Sequence, residues 1–388
     1  MRRRAATGSG SADRNRRLQP ARMPRRSPLE AGTFRLSFCP GAAASSMTLA
    51  AVRGFDFFHR DNQQEQNEMK DIQQVAGRKV AIVGAGLVGA GWAVVYARAG
   101  MTVKVYDANP DITRKSIPLI EGQLAGLHRH GLITEDPATI LSRISTASTL
   151  AEAVEGAVYV QESVLERVDV KRQLMIDLDA IASTDLIVGS STSGIPGSAF
   201  ALGLSLSPRI LIVHPVNPPY LVPVVELVPS PETSPATVEF AETLMQAVGQ
   251  TVVHVRKEVE GFVLNRLQAV LLREAWALVS EGVASCEDVD KTVRDGLGWR
   301  WSFMGPFETI DLNAPGGVAD YAVRLGPLYQ RIAASREHEQ PWDEALIKQV
   351  EAQRREHLEH AELESRRAWR DERLMAFAAA RRGAHPEG

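Results

Sequence analysis

RKVAIVGAGLVGAGWAVVYARAGMTVKVYDANP, from Arg78 to Pro110, decides how the chain reads. Lys79 to Val83 is an apolar run of strand length. Gly84, Gly86 and Gly89 follow as G-x-G-x-x-G, Ala90 to Ala99 reads as a helix, and Thr102 to Tyr106 as a second strand ended by Asp107. Strand, glycines, helix, strand and acid in that order are the requirements of a dinucleotide site. Gly84 permits the tight turn, Gly86 lets the backbone approach a pyrophosphate, and Gly89 lets the helix pack against the strand. Leu87 and Val88 lie in the same loop and are assigned with the glycines to the cofactor. The helix start offers free N–H groups and a positive dipole end to phosphates. Asp107 would accept from the adenosine ribose hydroxyls and repel a 2′-phosphate, so NAD is expected rather than NADP.

The alternation continues outward. AVYVQESV (Ala157–Val164), DLIVGSS (Asp185–Ser191) and RILIVHP (Arg209–Pro215) are short apolar runs bounded by turn residues, with helix-permissive stretches such as Val170 to Ile181 between them. This predicts an α/β fold, a doubly wound and mostly parallel sheet of Rossmann type. Ligands of such sheets bind beyond the carboxyl ends of the strands. Glu162, Ser191 to Ser193 and His214 all fall at such ends.

HPVNPPYLVPVVE begins at His214 and ends at Glu226, with four prolines between them. The prolines exclude a helix there. A lone histidine is by default a satisfied structural residue, but this one ends a strand on the nucleotide side. Oxidising an alcohol with NAD requires a base for the hydroxyl proton as hydride leaves the same carbon, and imidazole suits that task. Glu226 lies in the very apolar PVVELVP, where a buried carboxylate needs a partner and His214 is the natural one. The alternative is a glutamate on the solvent face of an edge strand. Further on, Gly261 precedes a helix with apolar residues at helical spacing, and Asn265 and Arg266 interrupt its start. Asn265 reads either as an ordinary polar helix residue or as a donor to a substrate oxygen.

Composition sets the limits. The 388 residues are 44% hydrophobic and 23% charged with formal net charge -3, which fits two or three domains with ample core and gives no electrostatic case for nucleic acid or membrane. Cys39 and Cys286 offer no CxxC spacing for a metal or redox pair, and a reduced, cytoplasmic setting follows. No apolar run of about 18 residues exists to span a bilayer. The chain divides into a leader (1–74), a nucleotide domain (75–257) and a helical domain (258–388). The leader is rich in Arg, Ser, Gly and Pro with few acids, and reads as disorder or an artefactual extension without a catalytic role, a transit peptide being the third option. The charged tail from Ala334 to Arg382 reads as a solvated helix packing on the second domain.

GAGLVGAGW, VQESV, SSTSG, HPVNPPYLVPVVELVP, GFVLNRLQ and GPFETIDLN together resemble the L-3-hydroxyacyl-CoA dehydrogenase superfamily. Within it they look like the branch containing lambda-crystallin, also known as L-gulonate 3-dehydrogenase. The resemblance runs from about Arg78 to the C-terminal WRDERLMAFAAARR. It implies an NAD domain followed by an all-α domain that forms a homodimer. The family's catalytic histidine lands on His214, its orienting glutamate on Glu226, the hydroxyl of its T-S motif on Ser193 and the asparagine of its V-N-R motif on Asn265. Asn217 matches the asparagine after the histidine and is assigned to the substrate. Glu162 matches an acid near the nicotinamide, and Lys171 is assigned with it to the cofactor. Two departures stand out: S-T-S-G from Ser191 replaces N-T-S-S, and VNPPY replaces F-N-P-V.

The substrate is the open question. A coenzyme A thioester calls for a cluster of cations on its phosphates. The segment Asp111 to Leu150 sets Arg114, Lys115, Arg129 and Arg143 against Asp111, Glu121, Glu135 and Asp136, which is balanced rather than basic. A small hydroxy acid needs one or two cations, and Arg300, between Trp299 and Trp301, is a candidate clamp. The tryptophans would alternatively face a trimethylammonium group, as in L-carnitine, or pack a dimer interface. The expectation is NAD-dependent oxidation of a small L-3-hydroxy acid such as L-gulonate, with a short-chain L-3-hydroxyacyl-CoA as runner-up. A structural role of the crystallin kind has no need for His214, Ser193, Glu226 and Asn265 together.

Overall fold

In the computed structural model, residues 75–336 and 341–384 are described; the leader and Cys39 lie outside them. The nucleotide end runs β1 (Lys79–Val83), α1 (Leu87–Arg98), β2 (Thr102–Tyr106), α2 (Pro110–Arg129), α3 (Pro137–Leu141), β3 (Ile144–Thr146), α4 (Leu150–Val154), β4 (Tyr159–Glu162), α5 (Val168–Ile181), β5 (Ile187–Ser190), β6 (Ile210–Pro215), β7 (Val224–Pro229), α6 (Pro235–Ala247) and β8 (Thr251–His254). One sheet holds all eight strands in the order β3-β2-β1-β4-β5-β6-β7-β8. The chain winds outward from β1 through β2 to β3, then returns to the other side of β1 with β4, so the switch point lies between β1 and β4.

Period-2 alternation divides the strand residues between two cores. Val80 and Ile82 face a cluster with Trp92, Leu124 and Tyr159, while Ala81 and Val83 face one with Leu174, Met175 and Phe200. Helices therefore cover both faces, as the continuous apolar runs require. The exception to parallel pairing is β6 with β7, which are antiparallel and place His214 opposite Glu226. Because β8 lies beyond β7, Glu226 is on an interior strand and 2% exposed, which removes the edge-strand alternative.

The remainder is helical: α7 (Leu264–Ser280), α8 (Cys286–Lys291), a π-helical turn over Thr292–Leu297, α9 (Gly298–Trp301), α10 (Pro306–Leu312), α11 (Gly317–Ala334), α12 (Glu344–Arg355) and α13 (Leu363–Ala384). α12 lies on the helical domain, where Gln353 accepts from the Cys286 N–H at 2.9 Å. The final helix corrects the sequence reading of the tail. α13 returns to the nucleotide domain, where Met375, 4% exposed, joins the core beside α2, and Glu372 pairs with Arg129 at 2.7 Å. Sequence charge hid this, because Leu374, Met375, Ala378 and Ala379 carry the contact on an otherwise charged helix.

Candidate active site

The glycine loop shows the constraints its spacing implies. Gly84 has φ +98°, and a Cβ there would fall 2.4 Å from the Ser163 carbonyl group. A Cβ on Gly89 would meet the Gly84 oxygen at 1.9 Å, whereas Gly86 faces open space, the side from which a pyrophosphate would approach. Leu87 and Val88 follow at the start of α1, Leu87 exposed and Val88 half-buried. Asp107 accepts from the Ala85 N–H at 2.9 Å and the Asn109 N–H at 2.8 Å, so it fixes the loop and keeps lone pairs for a ribose. The cradle fits a dinucleotide.

At the same edge of the sheet, His214 Nδ1 and Glu226 Oε2 are 2.7 Å apart, and both residues are buried. The other oxygen, Glu226 Oε1, accepts from the N–H groups of Val263 at 2.8 Å and Leu264 at 2.9 Å. Burial pushes the Glu226 carboxyl up, but the His214 hydrogen bond and those two N–H groups outweigh it and hold it below the usual carboxylate range. An ionised carboxylate only accepts, so the ring proton is on Nδ1 and the lone pair on Nε2. Phe262 makes this possible. Its φ of +50° turns the chain into α7 with both N–H groups aimed at Glu226, and its fully buried ring lies 5.6 Å from the imidazole. Asn265, the second residue of α7, donates from its amide to the Ser193 carbonyl. The structure thus brings Ser193, His214, Glu226 and Asn265 to one edge of the sheet and the start of one helix.

The residues downstream of β4 are arranged differently from the expectation. Glu162 is fully buried, its oxygens taken by Lys171 Nζ at 2.8 and 3.1 Å, the Val164 N–H at 2.8 Å and the Ser190 hydroxyl. Lys171 is 1% exposed and also reaches Glu166 at 3.2 Å. The accessible carboxylate at this edge is Glu166, which sequence reasoning missed. Its Oε1 accepts from the Thr192 hydroxyl at 2.7 Å, the Ser193 N–H at 2.7 Å and the Ser193 hydroxyl at 3.1 Å. Burial raises its carboxyl, and the Thr192 hydroxyl with Lys171 brings it below the usual range. Glu162 and Lys171, assigned to the cofactor from the sequence, are thus buried and paired with each other, with Glu166 and Ser190 as their further partners.

A family model for the NAD binding domain of 3-hydroxyacyl-CoA dehydrogenase matches residues 79–259, and one for its C-terminal domain matches residues 261–361. The chain belongs to the 3-hydroxyacyl-CoA dehydrogenase family. It is an NAD-dependent oxidoreductase acting on CH–OH groups, and its substrate is a small molecule. Lambda-crystallin from Oryctolagus cuniculus is 40% identical over 316 residues, 80% of this chain and 99% of that protein. L-Carnitine dehydrogenase from Streptomyces griseus is 38% identical over 251 residues, 64% of this chain and 74% of that protein. Among solved structures, a 5-formyl-3-hydroxy-2-methylpyridine 4-carboxylic acid 5-dehydrogenase is 27% identical with a TM-score of 0.67, over 79% of this chain and 98% of that one. (S)-3-Hydroxybutyryl-CoA dehydrogenase from Ralstonia eutropha is 28% identical with a TM-score of 0.54, over 66% and 89%.

Two further residues assigned to the substrate of this dehydrogenase make no hydrogen bond to the cluster among the described residues. Asn217 is exposed in the turn between β6 and β7. Arg300 is exposed on α9, where its guanidinium makes no hydrogen bond or ion pair among the described residues. Trp299 and Trp301 beside it are 73% and 40% exposed, so Trp299 is largely open and Trp301 only partly covered by the described residues. No group of His, Cys, Asp and Glu side chains that could hold a metal occurs among the described residues. No described helix is long and apolar enough to cross a membrane.

Proposed function

We propose that this family member oxidises the 3-hydroxyl of a small, free L-3-hydroxy acid of the L-gulonate kind to the 3-keto acid. NAD supplies the hydride acceptor. His214 Nε2 takes the hydroxyl proton as the C–H electrons leave, and the Glu226 carboxylate stabilises the imidazolium that forms. Ser193 shares the substrate hydroxyl with His214. Asn265 has one amide hydrogen committed to the Ser193 carbonyl, leaving its second hydrogen and its oxygen to orient the substrate. Asn217 and Arg300 complete the assignment, Arg300 as a cation without a carboxylate partner among the described residues, offered to the substrate carboxylate. The observation that carries the reaction is the buried His214–Glu226 pair, with the carboxylate held on its far side by two backbone N–H groups.

The free acid is favoured over a thioester by the state of the cations after β2. Arg114 pairs with Asp111, Arg143 with Glu135, and Arg129 with Glu372. Of the four, Lys115 alone has no carboxylate partner among the described residues. That leaves little charge for the phosphates of coenzyme A.

A homodimer is part of the same proposal. Among the described residues of α7, Val279 is the one buried side chain, and α11 has none. Leu267, Val270 and Val323 are each more than 60% exposed. Such a helical layer needs a second copy to cover it.

The test is NADH formation compared as kcat/KM on L-gulonate, L-3-hydroxybutyrate, L-3-hydroxybutyryl-CoA and L-carnitine. Preference for a free hydroxy acid, lost on Arg300→Ala, is the expected result. Preference for the thioester overturns the reading, and preference for L-carnitine transfers it to the tryptophans around Arg300.

A further inference from the structure

A buried polar chain runs beneath the glycine loop, and its hydrogen-bond directions are fixed at both ends. Gln161 on β4 is fully buried. Its Oε1 accepts from the hydroxyls of Tyr96 and Tyr159, both at 2.9 Å. Its Nε2 faces the Gly189 carbonyl at 3.4 Å and Ser191 Oγ at 2.8 Å. A carbonyl only accepts, so the amide nitrogen must lie on that side. The indole Nε1 of Trp92, which only donates, reaches the same Ser191 oxygen at 3.1 Å. Ser191 Oγ thus receives two N–H donors, which fills both of its acceptor positions. Its own proton has one remaining neighbour, Ser163 Oγ at 2.9 Å. Ser163 is therefore the acceptor in that pair, and its proton has no acceptor among the described residues.

Ser163 is half-buried at the carboxyl end of β4, beside the switch point. Its N–H donates to the Val83 carbonyl at 2.7 Å, and the Gly84 turn presses on its backbone. The open end of the chain is thus a hydroxyl forced to donate, at the crevice between the glycine loop and β4.

We propose that Ser163 is a cofactor-binding residue, donating its hydroxyl proton to an oxygen of the bound NAD, and that Trp92, Gln161 and Ser191 are the positioning residues that set its direction. A donor suits this place because the dinucleotide presents ribose and phosphate oxygens there. The inference concerns the cofactor alone and holds whichever hydroxy acid is oxidised.

The experiment is NADH titration of the full chain by fluorescence, with the melting temperature measured in parallel. Ser163→Ala should weaken NADH binding about five- to tenfold, the cost of one hydrogen bond. Ser163→Thr keeps the hydroxyl and should bind within about twofold of the original chain. NADH affinity unchanged in Ser163→Ala overturns the proposal, as does equal weakening in both variants, which would make the effect one of packing. Should Ser163→Ala fail to fold, Ser163→Cys decides: its weak donor should reproduce the loss, and unchanged affinity overturns the inference.

Discussion

Glu226 shows at the scale of one residue how position makes chemistry. Its sequence surroundings, PVVELVP, are apolar enough that a partner could be inferred, and the prolines after His214 excluded a helix between the two residues. What could not be read was the antiparallel register that sets the two side chains opposite each other. Nor could sequence give the two N–H groups of Val263 and Leu264, since backbone donors carry no side-chain signature. Glu166 was hidden for a related reason. LERVDVK reads as an ordinary charged helix start, and its role appears only when the loop from Thr192 to Gly194 folds onto it. Because the folded Glu226 carboxyl lies below its ordinary value of 4.5, its contribution to stability is present above about pH 4.5 and is lost as pH falls through the lower folded value. Glu226→Gln should therefore lower the melting temperature at pH 7, and the difference should shrink as pH drops below about 4.5. The same change should reduce kcat by about 100-fold or more, since an amide offers the imidazolium no charge.

At the scale of elements, the strands and helices of the nucleotide end were legible because period-2 and apolar runs are bounded there by glycine, proline and aspartate. The predicted strands at Lys79–Val83, Thr102–Tyr106 and Arg209–Pro215 match β1, β2 and β6 to within a residue. The placement of α13 was not legible, because the contact is made by a narrow stripe. Met375 covers Gly126 of α2, where a Cβ would fall 2.8 Å from the methionine methyl group, so helix and glycine fit as a pair. Met375→Ala should reduce the unfolding free energy by about 2–3 kcal/mol, measured by chemical denaturation. A loss near zero would mean that α13 is held by its surface pairs, Arg129–Glu372 among them.

At the scale of the whole molecule, the reacting groups come from both parts of the chain. His214 and Glu226 belong to the sheet, while the donors to Glu226 and the amide of Asn265 enter with α7. The helical part that supplies them exposes an apolar layer, Leu267, Val270 and Val323 among it. If the proposed homodimer forms through this layer, Leu267→Glu should leave a monomer in sedimentation velocity where the unaltered chain is a dimer; a dimer unchanged by it would place the interface elsewhere, and a monomeric unaltered chain would overturn the homodimer. The measurement that bears most directly on the central claim is the kinetics of His214→Gln with NADH affinity determined on the same preparation. If His214 is the base, kcat falls by about a thousandfold or more while the NADH dissociation constant stays within about twofold. Turnover close to that of the unaltered chain, with the variant folded, would contradict the mechanism.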